Sequence, residues 1–152
     1  MAKFKYRMQN ILNIKLKLED QAKMEYAQAN LKVAQEEKCL QRIQNRRTEY
    51  EEEGRKLRSG TVRVVNLKEN NVALKNLQDA EKQQMQVLMT ARQKAEEERQ
   101  KLQEAMQERK TQEKLYEGAF ETFMKEENAK ESKEVDELTS YTYGQKKRSG
   151  TT

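Results

Sequence analysis

The sequence predicts an all-α protein, a long two-helix antiparallel coiled-coil hairpin whose second helix is longer and overhangs. Three observations predict it. The 152 residues include no proline and only five glycines, so the strongest helix breaker is missing throughout. Good helix formers (Gln, Glu, Lys, Ala, Leu and Arg) dominate. Apolar residues recur every three or four positions in two long runs, the period of a coiled-coil seam. Hydrophobic residues make up 34% and charged residues 38% of the chain, whereas an ordinary globular domain is roughly 45–50% apolar. That is too little for a compact core and enough for a narrow seam. Low hydropathy and high charge also mark disordered chains, but the periodicity argues against disorder for most of the length.

The first helix is expected over about residues 4–58. Steps of three and four from Phe4 pass through Met8, Ile11, Leu18, Ala22, Tyr26, Ala29, Val33, Leu40, Ile43, Tyr50 and Leu57. Lys15, Glu36, Arg47 and Gly54 are the polar or empty positions of that run. Two consecutive four-steps, 18–22–26, read as a stutter, which locally unwinds a coiled coil.

Residues 57–66, LRSGTVRVVN, break the pattern. Lys56 and Arg58 suit a helix C-terminus, and Gly60 is suited to the left-handed conformation that ends a helix. The β-branched run that follows is poor helix material, and it has no partner strand elsewhere. Asn66, with Glu69 three residues on, offers a capping-box-like restart. A turn is therefore expected at 59–65.

The second helix is expected over about residues 66–138. Its run passes through Leu67, Leu74, Leu77, Met85, Leu88, Ala91, Ala95, Leu102, Ala105, Tyr116, Ala119 and Phe123, interrupted by Asn70, Glu81, Glu98, Arg109 and Gln112. Folding at the turn pairs residues whose numbers add to roughly 124 and brings Phe4 to Phe120. Charge favours the same arrangement, because residues 1–17 contain five cations and no acid, whereas 117–137 are strongly acidic. At about 1.5 Å per residue the second helix outruns the first, leaving an acidic single-helix extension over about residues 121–138. The reading is one hairpin domain over 1–143 and a disordered tail over 144–152, where Ser, Thr and Gly concentrate.

Several function classes fall away. Histidine is absent, which excludes a histidine base and any His-containing zinc site. Cys39 stands alone, so no intramolecular disulfide or paired-cysteine metal motif forms. No phosphate-binding loop is present, and carboxylates on a solvated helix surface lack the desolvation that separates catalytic pKa values. No enzyme, cofactor or metal is expected, and no run approaches a membrane span. The net charge of +5 is spread as mixed acids and bases, the mark of a solvated helix face, so nucleic acid is not the expected partner. Such a chain works by touching other proteins. Ala73, Leu77 and Ala80 fall on one face at helical spacing, either widening the seam or facing a partner.

The opening FKYRMQNILNIKLKLEDQAKMEYAQAN resembles the start of flagellar FliJ proteins, and ERKTQEKLYEGAFETFMKEENAKESKEVDEL at 108–138 resembles the end of that family. The two ends occur in the right order, and the resemblance covers about residues 3–143. It implies a cytoplasmic component of the flagellar type III protein export apparatus, peripherally associated with the inner face of the cell membrane at the flagellar base. Members resemble the rotor stalk of rotary ATP synthases, insert into the hexameric export ATPase, contact the cytoplasmic domain of the export gate and escort substrate chaperones. By that analogy Phe4, Tyr6, Arg7, Met8 and Gln9, with Phe120, Phe123, Lys133, Glu134, Asp136 and Glu137, would face the ATPase. Ala73, Leu77 and Ala80 match the family's export-gate patch by position. The alternative is a structural coiled-coil rod, or a rotary-ATPase-like stalk of another complex. A stalk would need domain sequence between its helices, for which seven loop residues leave no room.

Overall fold

The computed structural model describes residues 2–150. Two helices account for nearly all of it, α1 at Gln9–Arg58 and α2 at Val64–Ser149. Their contacts divide the chain into two units, Met1–Leu18 with Ala105–Thr152, and Glu19–Glu104. In each, a stretch leading into or along α1 runs antiparallel to a stretch of α2, so the fold is the all-α helical hairpin. α2 is the longer helix, with 86 residues against 50.

Glu19–Glu104 is itself a helical hairpin closed by the turn. Asn70 donates its amide to the Tyr50 carbonyl at 2.9 Å, Arg47 reaches Glu81 at 2.8 Å, and Arg92 reaches Glu37 at 3.2 Å. Buried positions along α1 are Glu19, Ala22, Ala29 and Gly54, with Tyr26, Val33, Glu36, Leu40, Ile43, Arg47, Tyr50 and Leu57 half-buried along the same seam. Along α2 the seam runs through Leu67, Asn70, Leu74, Leu77, Glu81, Gln84, Leu88, Ala91, Ala95, Glu98 and Leu102, alternating steps of three and four. Gln84, and not Met85, fills its place in this seam: Met85 is 47% exposed, while the Gln84 amide donates to the Glu36 carbonyl at 3.1 Å.

In Met1–Leu18 with Ala105–Thr152, Lys15 pairs with Glu108 at 2.9 Å, and Tyr6 and Phe4 pack on the aromatic rings of α2. Here the seam differs from the sequence reading. Leu12 is 8% exposed, whereas Ile11 is 38% and Leu18 44% exposed. In the other unit Glu19 is 4% exposed. With Leu12, Lys15, Glu19, Ala22 and Tyr26 as the covered positions, the three-four alternation of α1 is unbroken, and the stutter expected at 18–22–26 is absent. A choice of register that favoured apolar residues selected Leu18 over its buried neighbour Glu19.

Three element boundaries also differ. Residues 4–8 are not helical; α1 begins at Gln9, with Leu12 N–H donating to the Met8 carbonyl at 3.1 Å. At the turn no described glycine has a positive φ, so Gly60 does not end α1 by a left-handed conformation. Ser59 ends it instead, its N–H and hydroxyl both donating to the Lys56 carbonyl, at 3.3 and 2.9 Å. α2 restarts at Val64, with Leu67 N–H donating to the Arg63 carbonyl at 3.2 Å, so Asn66 lies inside the helix and caps nothing. The β-branched pair Val64–Val65 is tolerated because it sits, exposed, in the first turn, where crowding from a preceding turn is missing. At the far end α2 continues to Ser149 where composition suggested disorder; the segment contains no proline, and an isolated glycine such as Gly144 costs a helix only about 1 kcal/mol. Met1, Thr151 and Thr152, parts of the expected hairpin and tail, lie outside the described residues.

Candidate functional site

At the aromatic end of Met1–Leu18 with Ala105–Thr152, the non-helical segment before α1 lets Phe4 reach over α2. Its ring lies 5.5 Å from Tyr116 and 5.3 Å from both Phe120 and Phe123, edge-on to the first two. Tyr6 meets Tyr116 edge-on at 5.2 Å, and its hydroxyl donates to Gln112 at 3.4 Å. Edge-to-face pairs of this kind contribute about 0.5–1.5 kcal/mol each beyond the area they bury. The cluster follows from sequence spacing, because Tyr116, Phe120 and Phe123 stand four and three residues apart and share one face of α2.

Of the residues assigned to the ATPase-facing end, the structure therefore brings together Phe4, Tyr6, Phe120 and Phe123. Phe4, Tyr6 and Phe123 are half-buried and Phe120 is 41% exposed. Arg7, Met8 and Gln9 are exposed at the entry to α1, outside the ring cluster. Lys133, Glu134, Asp136 and Glu137 are exposed on α2, in the stretch from Asn128 to Arg148 where every residue is exposed. They form no ion pair or hydrogen bond with α1 among the described residues, and they stand on the overhang as a polar surface, with Val135 between them 58% exposed and Leu138 just after them 65% exposed.

Ala73, Leu77 and Ala80 lie in the other unit, Glu19–Glu104, and all three are half-buried. Leu77 is a seam position, and the two alanines flank the seam. Beside them Val72 is 59% exposed.

The seam of Glu19–Glu104 carries a set of polar groups that apolar counting passed over as interruptions. Arg47 is held charged, its pKa raised first by its bond to Glu81 and then by Glu51. The Glu36 carboxyl is lowered by Lys32, 2.8 Å away, and by the Gln84 amide. Glu98, 4% exposed, is lowered chiefly by Lys94 at 3.0 Å, against the opposing effect of burial. One Glu98 oxygen, Oε2, and the Asn70 Oδ1 are buried without a hydrogen-bond partner. The only sequence signal of these positions is their heptad spacing.

Among the described residues no three His, Cys, Asp or Glu side chains gather to hold a metal ion, and no helix is long and apolar enough to cross a membrane. Cys39 is half-buried with a free thiol. What the surfaces offer chemically is contact: aromatic rings, mixed charge and a few exposed aliphatic side chains. Compared with known families, residues 4–148 match the one described as Flagellar FliJ protein. No curated protein and no solved structure matches the chain.

Proposed function

The chain belongs to the FliJ family, which makes it a component of the flagellar export apparatus, and we propose that it is non-catalytic and that it couples to and stimulates the hexameric export ATPase through its aromatic end. The observation that carries this reading is the packing of Phe4 among Tyr116, Phe120 and Phe123. It ties the segment before α1 to α2 next to an exposed acidic overhang. Phe4, Tyr6, Arg7, Met8, Gln9, Phe120 and Phe123 form the part that enters the ring, and Lys133, Glu134, Asp136 and Glu137 meet its subunits. A single asymmetric element inside a six-fold ring needs contacts that exchange readily. Exposed ion pairs, each worth about 0–1 kcal/mol, supply them without locking onto one subunit.

In the same reading Ala73, Leu77 and Ala80 face the cytoplasmic domain of the export gate, and the protein escorts flagellar substrate chaperones on the cytoplasmic side of the membrane. Because the three gate residues are half-buried, gate contact would use their exposed edges together with Val72.

The test is ATP hydrolysis by the cognate export ATPase, titrated with this protein under ring-forming conditions. The expected result is stimulation that saturates near one chain per hexamer and is abolished by reversing the charges at Lys133, Glu134, Asp136 and Glu137. Unchanged hydrolysis at saturating protein would refute the coupling role.

A further inference from the structure

We propose that the segment 2–18 carries a docking face for an anionic lipid bilayer. The argument starts from what α2 leaves uncovered. Leu12 is 8% exposed in the seam, whereas Ile11, Ile14 and Leu18 are 38%, 54% and 44% exposed. Spaced i, i+3 and i+7, these three share one face of α1, and none of them is a seam position. Three aliphatic side chains in a row on an outer face have no role in holding the helices together.

The charge beside that stripe has one sign. Lys3, Lys5, Arg7, Lys15 and Lys17 precede the first acid of the chain, Glu19. Lys15 is engaged by Glu108, while Lys3, Lys5, Arg7 and Lys17 form no ion pair among the described residues. Phe4 packs as far along α2 as Phe123, and over the facing stretch 105–123 the acids Glu108, Glu113, Glu117 and Glu121 exceed Arg109, Lys110 and Lys114 by only one, so most of the positive charge is not offset. The segment therefore presents an apolar stripe with four unpaired cations around it.

That combination selects the partner. A nucleic acid would engage the cations and leave Ile14 in water. A bilayer surface of acidic lipids takes both parts, the aliphatic stripe into the boundary between headgroups and acyl chains and the cations onto the phosphates. Neither part suffices alone, since three half-exposed side chains bury little apolar area and a short basic cluster is screened by salt. Phe4 and Tyr6 are engaged with the aromatic rings of α2, so the lipid face and the proposed ATPase-facing end share only Arg7. The inference does not depend on the coupling role.

Flotation of the full chain with vesicles tests it, using phosphatidylethanolamine with one third phosphatidylglycerol against phosphatidylcholine alone. The chain should float with the anionic vesicles, stay behind with the neutral ones, and detach as salt rises. Lys5→Gln with Lys17→Gln should weaken partitioning by about 25-fold, roughly fivefold for each cation removed. Ile14→Ser should weaken it by about fivefold or more. Leu31→Ser, at an aliphatic position 60% exposed in the other unit, should leave it unchanged. All of these positions are exposed, so the variants keep their helices, which circular dichroism verifies. Absence of vesicle binding, equal binding to neutral vesicles, or insensitivity to Ile14→Ser would overturn the proposal. So would binding to single-stranded RNA that falls with the lysine variants while vesicle binding does not. Vesicle binding by a protein that fails to stimulate the ATPase would leave this inference standing and remove the coupling role alone.

Discussion

Alanine at Gly54 and at Gly118 should change stability in opposite directions. Both glycines lie inside helices, where replacement by alanine contributes about 1 kcal/mol of helix propensity. A Cβ on Gly118 would meet nothing within 4 Å, so Gly118→Ala should stabilise by close to that full amount. A Cβ on Gly54 would lie 2.7 Å from Asn70 Oδ1 and 3.1 Å from the Arg58 guanidinium. The arginine can swing away, but the asparagine is 5% exposed and tied to the Tyr50 carbonyl at 2.9 Å. Displacing it loses that bond, about 1 kcal/mol, and strands a buried carbonyl or amide at about 1–3 kcal/mol. After the propensity gain of about 1 kcal/mol, Gly54→Ala should be net destabilising by about 1–3 kcal/mol. Urea unfolding followed by far-ultraviolet circular dichroism reads both. Combining Gly54→Ala with Asn70→Ala should restore stability, with a coupling of at least about 1 kcal/mol between the two sites. A Gly54→Ala protein as stable as Gly118→Ala would refute the close approach of Asn70 to α1.

The seam register is tested by Leu12→Ala, which should cost about 2–3 kcal/mol, against Leu18→Ala, which should cost less than about 1 kcal/mol; equal losses by thermal unfolding would restore Leu18 to the seam. Glu36, Glu96 and Glu98 are held below their ordinary value by Lys32, Arg99 and Lys94 respectively. Their contribution to stability is therefore complete above the unfolded carboxylate pKa, about 4.3, and is lost as pH falls through the lower folded values. Melting temperatures should hold between pH 7 and about 5 and drop below about 4; a flat profile down to pH 3 would contradict the pairing. In the pair Arg47–Glu81, Arg47→Ala should destabilise by leaving the buried Glu81 carboxylate poorly partnered, whereas Arg47→Leu with Glu81→Leu should stabilise, both read by urea midpoints.

Much of the fold was legible because the heptad repeat is nearly complete. From Ala22 to Leu57, and from Leu67 to Phe123 apart from one position, the residues that steps of three and four select are all covered. Two of the seam misses share one cause. At Glu19 and Gln84 the repeat demands a residue that counting by polarity rejects, and an apolar neighbour, Leu18 or Met85, stands one position away. A long side chain can lie in such a seam when its methylenes are covered and its head finds a partner, as Gln84 does at Glu36. The aromatic end was legible from the near-124 pairing that sends Phe4 to Phe120. The non-helical path of residues 4–8 was not, since no breaker marks it and only the packing of Phe4 explains it. The acidic overhang was foreseen from charge, while the helical state of residues 139–149 was missed because Ser, Thr and Gly content was given more weight than the absence of proline.

The polar seam of Glu19–Glu104 has a consequence for how one pairing is chosen over its neighbours. An all-leucine seam would pair almost equally well after a slip of one heptad. Here a slip of seven residues would move Asn70 off Gly54 and onto a residue with a Cβ, opening a gap at the glycine and a clash at the asparagine. It would also part Arg47 from Glu81, leaving the buried Glu81 carboxylate without its guanidinium while Arg47 kept only Glu51. Apolar residues of similar volume in place of both members of the Arg47–Glu81 pair would serve the correct pairing at least as well, and Asn70 Oδ1 and Glu98 Oε2 are left without a hydrogen-bond partner even there. The effect of these groups lies in the penalty for every other pairing, the role best attested for polar groups at seam positions. A protein whose proposed contacts with its partners are weak and exchangeable must keep its own helices in one register, and these buried polar groups supply that discrimination.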